Sequence, residues 1–271
     1  MKKFRKFAAL ALAGVLSAAL LTSCGKKDAV TLKVGASAAP HAEILENVVK
    51  GLLEKEGITL DVVVYDDYIL PNTHVEDGTI DANYFQHITY MNGFNADNGT
   101  HLVSVANIHY EPFGIYAGKT SSLDALADGA EVAIPNDPTN GGRALLLLQE
   151  QGLITLKDGV GLEPTVQDIT DNPKHLDIKE LTANLLTATL KDVDVAVING
   201  NYAIEAGLKV SDALAIESAE GDAATAYGNV LAVKEGREND EAIQKLVKAL
   251  QSQEVKDYIE KNYNGSVVAM F

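Results

Sequence analysis

Asn136-Asp137-Pro138-Thr139-Asn140-Gly141-Gly142-Arg143 lies between the apolar run Val132-Ala133-Ile134-Pro135 and the leucine stretch Leu145 to Leu148. A strand that feeds a helix through such a loop presents unpaired N–H groups and a partial positive charge at the helix N-terminus, which suits a carboxylate. Thr139 or Asn140 is the expected cap, and the two glycines would let a ligand approach the backbone. Arg143 then falls in the first helical turn, where the dipole disfavours a cation unless it meets an anion. Its planar fork matches a carboxylate bidentately. The residues alone leave a second reading open, a surface arginine paired with Asp137. The loop lacks GxxxxGK[ST], so a nucleotide phosphate is not the anion.

Tyr84, Phe85, His87 and Tyr90 put four rings within seven residues of a chain that is only 6% aromatic. His87 and Tyr90 are three apart, so on a helix starting near Gln86 they share a face. Phe85 at a strand end and Tyr68 in the preceding loop could complete an apolar cup. A thioether packed on such ring edges gains about 0.3–1.5 kcal/mol per contact. The alternative is hydrophobic core, and for Tyr84 that is the preferred reading. Asn199 and Asn201 follow the apolar strand Val195 to Ile198, and Asn229 follows Tyr227-Gly228. Ligands in open α/β sheets bind beyond the carboxyl ends of strands, where an amide oxygen can accept from an ammonium group. A turn-forming role is the competing reading for each, strongest for Asn201.

Other chemistries lack their residues. His41, His74, His101, His109 and His175 include no pair at i,i+3 or i,i+4, and none adjoins a carboxylate cluster at ligand spacing, so no metal or other cofactor is expected. Asp66-Asp67 reads as solvated loop charge. There is no GxSxG elbow, and the only thiol is Cys24, so no nucleophile for an enzyme is apparent. The 271 residues carry 22 Lys+Arg against 38 Asp+Glu, a net charge of −16 that repels phosphate backbones and argues against nucleic acid. At 46% hydrophobic residues the chain can still build cores, with room for two lobes.

These candidates sit on alternating strands and helices. Strands are expected at 31–35, 60–65, 80–84, 102–108, 113–117, 132–135, 194–198 and 227–233. Helices are expected at 42–54, from about 86, at 143–150, 238–251 and 254–262. The alternation implies an α/β fold with two mainly parallel sheets flanked by helices.

The N-terminus reads as an address. MKKFRK supplies positive charge, and Phe7 to Leu21 is an apolar run of fifteen residues, short of the roughly 20 that span a bilayer. Leu21-Thr22-Ser23-Cys24 resembles a bacterial lipobox, which implies a signal peptide over 1–23, lipidation of Cys24 and a tether over 24–30. Removal of the first 23 residues takes four basic groups and no acidic one, leaving −20. The expected location is the outer face of the bacterial cell membrane, held by lipid alone.

Four strings carry a wider likeness: Asp66-Asp67-Tyr68-Ile69-Leu70-Pro71-Asn72, Asp81 to His87, Ile134 to Asn140 with Arg143, and Val197-Ile198-Asn199-Gly200-Asn201-Tyr202-Ala203. Together they resemble the NlpA/MetQ lipoprotein family, the methionine-binding components of ABC importers, from about Leu32 to the C-terminus. The resemblance implies a two-lobed periplasmic-binding-protein fold (type II-like) with two crossover strands, near Pro112–Tyr116 and Tyr227–Val230. Lobe 1 would comprise 31–113 plus 230–271, and lobe 2 residues 114–229. It also implies that Arg143 and the helix start hold the α-carboxylate of L-methionine, with Asn199, Asn229 and Asn140 on the ammonium. Tyr68, Phe85, His87 and Tyr90 would surround the side chain, and Asn201 is a further candidate. The implied partners are an ABC permease and its ATPase, with the binding protein a monomer. Rival ligands are D-methionine, a methionine-containing dipeptide or another apolar amino acid. A surface adhesin is the rival class, and it would tolerate loss of Arg143.

Overall fold

The computed structural model describes residues 30–218 and 225–271; Cys24, the signal peptide and nearly all of the tether lie outside them. In β1 (Val30–Ala36) the residues Leu32, Val34 and Ala36 are buried, the period of two that a covered strand requires. It belongs to a six-stranded sheet with β2 (Ile58–Val64), β3 (Ala82–His87), β4 (Leu102–Tyr110), β12 (Gly228–Lys234) and β13 (Val268–Ala269), in the order β13-β4-β12-β3-β1-β2. After β1 the chain makes wide helical turns over Ala38–Ala42 and Leu45–Val49 before α1 (Lys50–Lys55). Ile44, Leu45, Val49 and Leu53 from this run pack on Leu60, Tyr84, Ile108 and Leu231 of the sheet. Leu246 of α7 (Glu241–Leu250) and Ile259 of α8 (Gln253–Tyr263) close the same core.

A second sheet holds β5 (Gly114–Ala117), β6 (Glu131–Pro135), β9 (Asp177–Leu181), β10 (Val195–Ile198) and β11 (Ala213–Ile216), ordered β11-β5-β10-β6-β9. A short pair, β7 (Thr155–Leu156) with β8 (Ile169–Asp171), lies apart from it. One face of the second sheet packs Val132, Ile134, Val195 and Val197 against Leu145 and Leu148 of α4 (Pro138–Glu150). The other face sets Ala133, Ala196 and Ile198 against Leu186 of α5 (Leu186–Thr189) and Tyr202 of α6 (Gly200–Glu205). Two further helices, α2 (Leu70–Glu76) and α3 (Ile88–Asn98), attach to the first sheet.

Both sheets are mixed rather than mainly parallel. β3 pairs parallel with β1 but antiparallel with β12, and β12 is also antiparallel to β4. In the second sheet β6 pairs parallel with β9 and β10, whereas β5 is antiparallel to β10 and β11. The reason lies in the connections between sheets. The chain leaves the first sheet after Tyr110 and enters the second at Gly114; it leaves the second after Ile216 and re-enters the first at Gly228. β1, β3 and β4 run toward the junction of the sheets, as do β6 and β10, while the incoming β5 and β12 run away from it and so lie antiparallel.

Two helix starts also shift. β3 continues through His87 and α3 begins at Ile88, so His87 and Tyr90 do not share a helical face; His87 is the N-cap, its Nδ1 accepting the Tyr90 N–H at 3.0 Å. α4 begins at Pro138 rather than Arg143. Its cap is Asp137, not Thr139 or Asn140, and Asp137 Oδ1 accepts from the Asn140 N–H, the Asn140 side chain and the Thr139 hydroxyl. Arg143 therefore lies in the second turn, beyond the reach of the first-turn dipole.

Candidate functional site

The carboxyl ends of β3, β6 and β10 meet between the two sheets, and the loops and helices that follow them line a small, narrow cavity. Tyr68, Phe85, His87, Tyr90, Asn140, Arg143, Asn199, Asn201 and Asn229 all line it, so the structure brings together every ligand-binding candidate on the described residues. Gln86, Glu111 and Gly200 line it as well, and sequence reasoning missed all three.

Burial places Arg143 at 4% exposure, which removes the reading of a surface arginine paired with Asp137. Its partner is Glu217, 6% exposed on the segment that returns from the second sheet. Arg143 Nε donates to Glu217 Oε2 at 2.9 Å and Nη2 donates to Glu217 Oε1, with a further bond from Nη2 to the Glu111 backbone oxygen at 3.0 Å. Tyr110 Oη (2.5 Å) and the Phe113 N–H (3.1 Å) also donate to Glu217 Oε1. The fork expected for a ligand carboxylate is thus filled from within the chain. Only Nη1 makes no hydrogen bond among the described residues. Burial depresses the guanidinium pKa, but the facing Glu217 carboxylate more than offsets this and the net shift is upward. Tyr227 stacks under Arg143 with the Cζ atom 4.2 Å from its ring centre, a cation–π contact.

The glycines of this loop serve the chain rather than a ligand. A Cβ on Gly141 would sit 2.9 Å from the Pro135 oxygen, and one on Gly142 would sit 2.7 Å from Glu163 Cα. Both positions are small because neighbouring backbone passes over the helix start.

A line of amides crosses the cavity. Asn140 Oδ1 accepts from Asn199 Nδ2 at 2.7 Å and faces His87 Nε2 at 3.1 Å. Because His87 Nδ1 already accepts from the Tyr90 N–H, the ring carries its proton on Nε2 and donates it to Asn140. Burial first, and the Arg143 charge second, push the His87 pKa down to about 3, so the ring is neutral. Among the described residues, two amide atoms of the cavity-lining asparagines are buried without partners: the acceptor Asn199 Oδ1 and the donor Asn201 Nδ2. Asn201 Oδ1 accepts from Tyr68 Oη at 2.5 Å, bridging the two sheets' territories, and Asn229 Oδ1 faces His41 Nε2 at 3.0 Å. Unpaired buried donors and acceptors are expensive, so atoms of this kind beside a cavity mark ligand contacts.

The rings form a neutral cup. Tyr68 lies 5.7 Å from Phe85 and 5.6 Å from Tyr90, and Phe85 lies 6.3 Å from Tyr90, all measured between ring centres. Tyr202 stacks on Tyr68 at 5.0 Å and donates to the Asp66 oxygen at 2.9 Å. Its place in the string Asn199-Gly200-Asn201-Tyr202 was the available signal. Tyr84 is fully buried in the core of the first sheet and its Oη bonds His109 Nδ1 at 2.5 Å.

Tertiary folding also gathers His41, His109 and Glu111, whose ligand atoms lie within 4.8 Å of one another although 68 residues separate the histidines. Histidine spacing along the chain could not disclose this group. Each of its ring nitrogens, and Glu111 Oε1, is engaged by the protein: Ser37 Oγ on His41 Nδ1 (2.7 Å), Asn229 on His41 Nε2, Tyr84 on His109 Nδ1, and Glu111 Oε1 on His109 Nε2 (2.7 Å). Burial lowers the pKa of His41 to about 4 and that of His109 to about 3.

Residues 32–271 match the family model described as NlpA lipoprotein. The chain is 43% identical to the D-methionine-binding lipoprotein MetQ of Escherichia coli K12, over 98% of each. Among solved structures it resembles a nutrient binding protein of Burkholderia cenocepacia bound to methionine, with 44% identity, a TM-score of 0.84, and coverage of 89% of this chain and 100% of that one. It likewise resembles the crystal structure of the methionine binding protein MetQ, with 42% identity, a TM-score of 0.85, and coverage of 89% and 98%.

Proposed function

The chain belongs to the NlpA lipoprotein family, and from that premise we propose that it captures methionine between its two lobes and delivers it to the permease of an ABC importer. The observation that carries this reading is a single cavity in which a buried arginine, one unpaired amide acceptor, one unpaired amide donor and a cup of neutral rings converge. In this reading the α-carboxylate meets Arg143 Nη1 and an amide N–H such as Asn201 Nδ2. Asn199 Oδ1 accepts from the ammonium, Asn140 holds Asn199 in place, and Tyr68, Phe85, His87 and Tyr90 pack the thioether. The reading is of a binding protein, not an enzyme. It acts as a monomer, with lobe 1 formed by 31–113 plus 230–271 and lobe 2 by 114–229. A lipidated Cys24 would tether it to the outer face of the membrane, a reading supported by the relatives' names as lipoproteins. No helix among the described residues is long and apolar enough to cross a membrane.

Relatives named for D-methionine keep both enantiomers in play. A pocket separates ligands that differ by one methylene by only about 1–3 kcal/mol, so the test needs a panel. Refolded, ligand-stripped protein is melted with each amino acid, with D-methionine and with methionine dipeptides. A ligand at about 1,000 times its dissociation constant adds roughly 4.1 kcal/mol. The largest rise in Tm is expected with L-methionine. No shift with any methionine compound would end the proposal.

A further inference from the structure

Among the described residues, Glu111 lines the cavity and Glu217 lies behind Arg143, and of these two carboxylates only Glu217 is paired with a lysine or arginine. Glu217 is matched by the Arg143 guanidinium. Glu111 is as deeply buried, at 5% exposure, and no lysine or arginine side chain pairs with its carboxylate among the described residues. Arg143 does reach Glu111, but at the backbone oxygen. The carboxylate itself is served by neutral donors: His109 Nε2 at 2.7 Å and the backbone N–H of Asn201, with His41 Nε2 at 3.5 Å. Hydroxyl groups of Ser37 and Tyr84 face the Nδ1 atoms of the two rings. That pattern leaves the ring protons on Nε2 and the imidazoles uncharged.

The position of Glu111 follows from Gly200. A Cβ there would lie 2.7 Å from Glu111 Cβ and 2.8 Å from Glu111 Oε2, so only glycine lets this side chain lie against the backbone between Asn199 and Asn201. These are the two residues whose side chains carry the orphaned amide atoms, and both line the cavity together with Glu111. A buried anion with hydrogen bonds but no counter-charge is costly, and a ligand cation relieves that cost.

Resting on the reading of the cavity as an amino-acid site, we propose that Glu111 is the anionic partner of the ligand's α-ammonium, with Asn199 Oδ1 as the second acceptor. The cavity then presents a paired Arg143–Glu217 couple with the Nη1 amino group to spare for the carboxylate, and a carboxylate without a cation for the ammonium. The arrangement selects free zwitterionic amino acids over carboxylic acids of the same shape. Burial raises the Glu111 pKa, as expected of a carboxylate that lacks its cation when no ligand is bound.

The test compares L-methionine with 4-(methylthio)butanoate, the same chain without the amine, by isothermal titration of ligand-stripped protein. Hydrogen bonds to charged groups contribute about 1.5–3 kcal/mol, so Glu111→Gln should weaken methionine roughly 10- to 100-fold. The deaminated acid should bind this variant as well as it binds the wild type, or better, so the preference for methionine collapses. Equal losses for both ligands would assign Glu111 a purely structural role, and no loss for methionine would remove it from the site; either overturns the inference. Wild-type protein that binds neither compound would instead overturn the amino-acid reading beneath it. Should Glu111→Gln not fold by circular dichroism, Glu111→Asp keeps the charge but retracts it by one methylene. A loss confined to methionine then supports the inference, and a loss common to both ligands defeats it.

Discussion

Arg143 remains charged in the interior because Glu217 answers it, and each is an uncompensated buried charge without the other. Removing one partner of such a pair costs about 3–5 kcal/mol, whereas replacing both with apolar side chains of similar volume is often neutral. Glu217→Met alone should therefore lower the urea midpoint sharply, and adding Arg143→Met should recover most of the loss while methionine no longer raises Tm. A double variant as unstable as the single one would mean that the pair is not coupled in this way. The buried histidines set a second expectation. His41, His87 and His109 have folded pKa values near 4, 3 and 3, below the ordinary 6.5, because burial penalises the imidazolium. Above pH 6.5 both folded and unfolded chains hold these rings neutral. As pH falls from 6.5 toward 4, the unfolded chain takes up protons that the folded one refuses, and each ring costs about 1.4 kcal/mol per pH unit. Glu111, raised by burial, works in the opposite direction over part of that range. Stability should fall on acidification through this window, and His87→Gln should reduce the slope by one proton. An unchanged slope would show that His87 is charged in the folded state.

Elements explain which parts of the site could be read from the chain. The apolar strands β6 and β10 and the asparagines that follow β10 were legible because a fully buried strand is a continuous apolar run and its carboxyl end faces the cavity. The start of α4 was misread because its first turn is polar and yet buried: Thr139, Asn140, Gly141 and Gly142 are all enclosed. Asp137-Pro138 carried the signal, an N-cap followed by proline at the first helical position. Glu111 and Glu217 were not legible at all, since their meaning arises where the two inter-sheet segments meet Arg143 and the histidines. The glycines of α4 give the prediction at this scale. In an open helix Gly→Ala would stabilise by up to about 1 kcal/mol. At Gly142 the new methyl would meet Glu163 Cα at 2.7 Å and the Leu162 oxygen at 2.8 Å, backbone atoms that cannot rotate away. Gly142→Ala should therefore destabilise by about 1–3 kcal/mol in denaturant titration. A gain in stability would show that the 162–164 segment yields freely.

The molecule has separate cores on its two sheets, so what joins them around the cavity decides how a ligand is felt. Some links stay within the connecting segments: the Glu217 N–H donates to the Phe113 oxygen at 2.9 Å, tying one inter-sheet segment to the other. Other links span the cavity mouth, and these would break if the sheets swung apart: Tyr68 Oη to Asn201, His87 to Asn140, and Tyr202 Oη to the Asp66 oxygen. A binding protein that alternates between open and closed forms gains affinity from every bond made only in the closed one, because the ligand then spends less of its binding energy on closure. Tyr202→Phe tests this at a distance from the ligand. It removes the hydroxyl that reaches Asp66 but keeps the ring that stacks on Tyr68. One net hydrogen bond contributes about 1 kcal/mol, so methionine affinity should fall roughly fivefold through a shifted closing equilibrium. Small-angle scattering of the ligand-free variant should show a larger radius of gyration than the wild type, and saturating methionine should restore the compact form. A loss of affinity with unchanged scattering would place the effect of Tyr202 in the pocket wall instead of in closure.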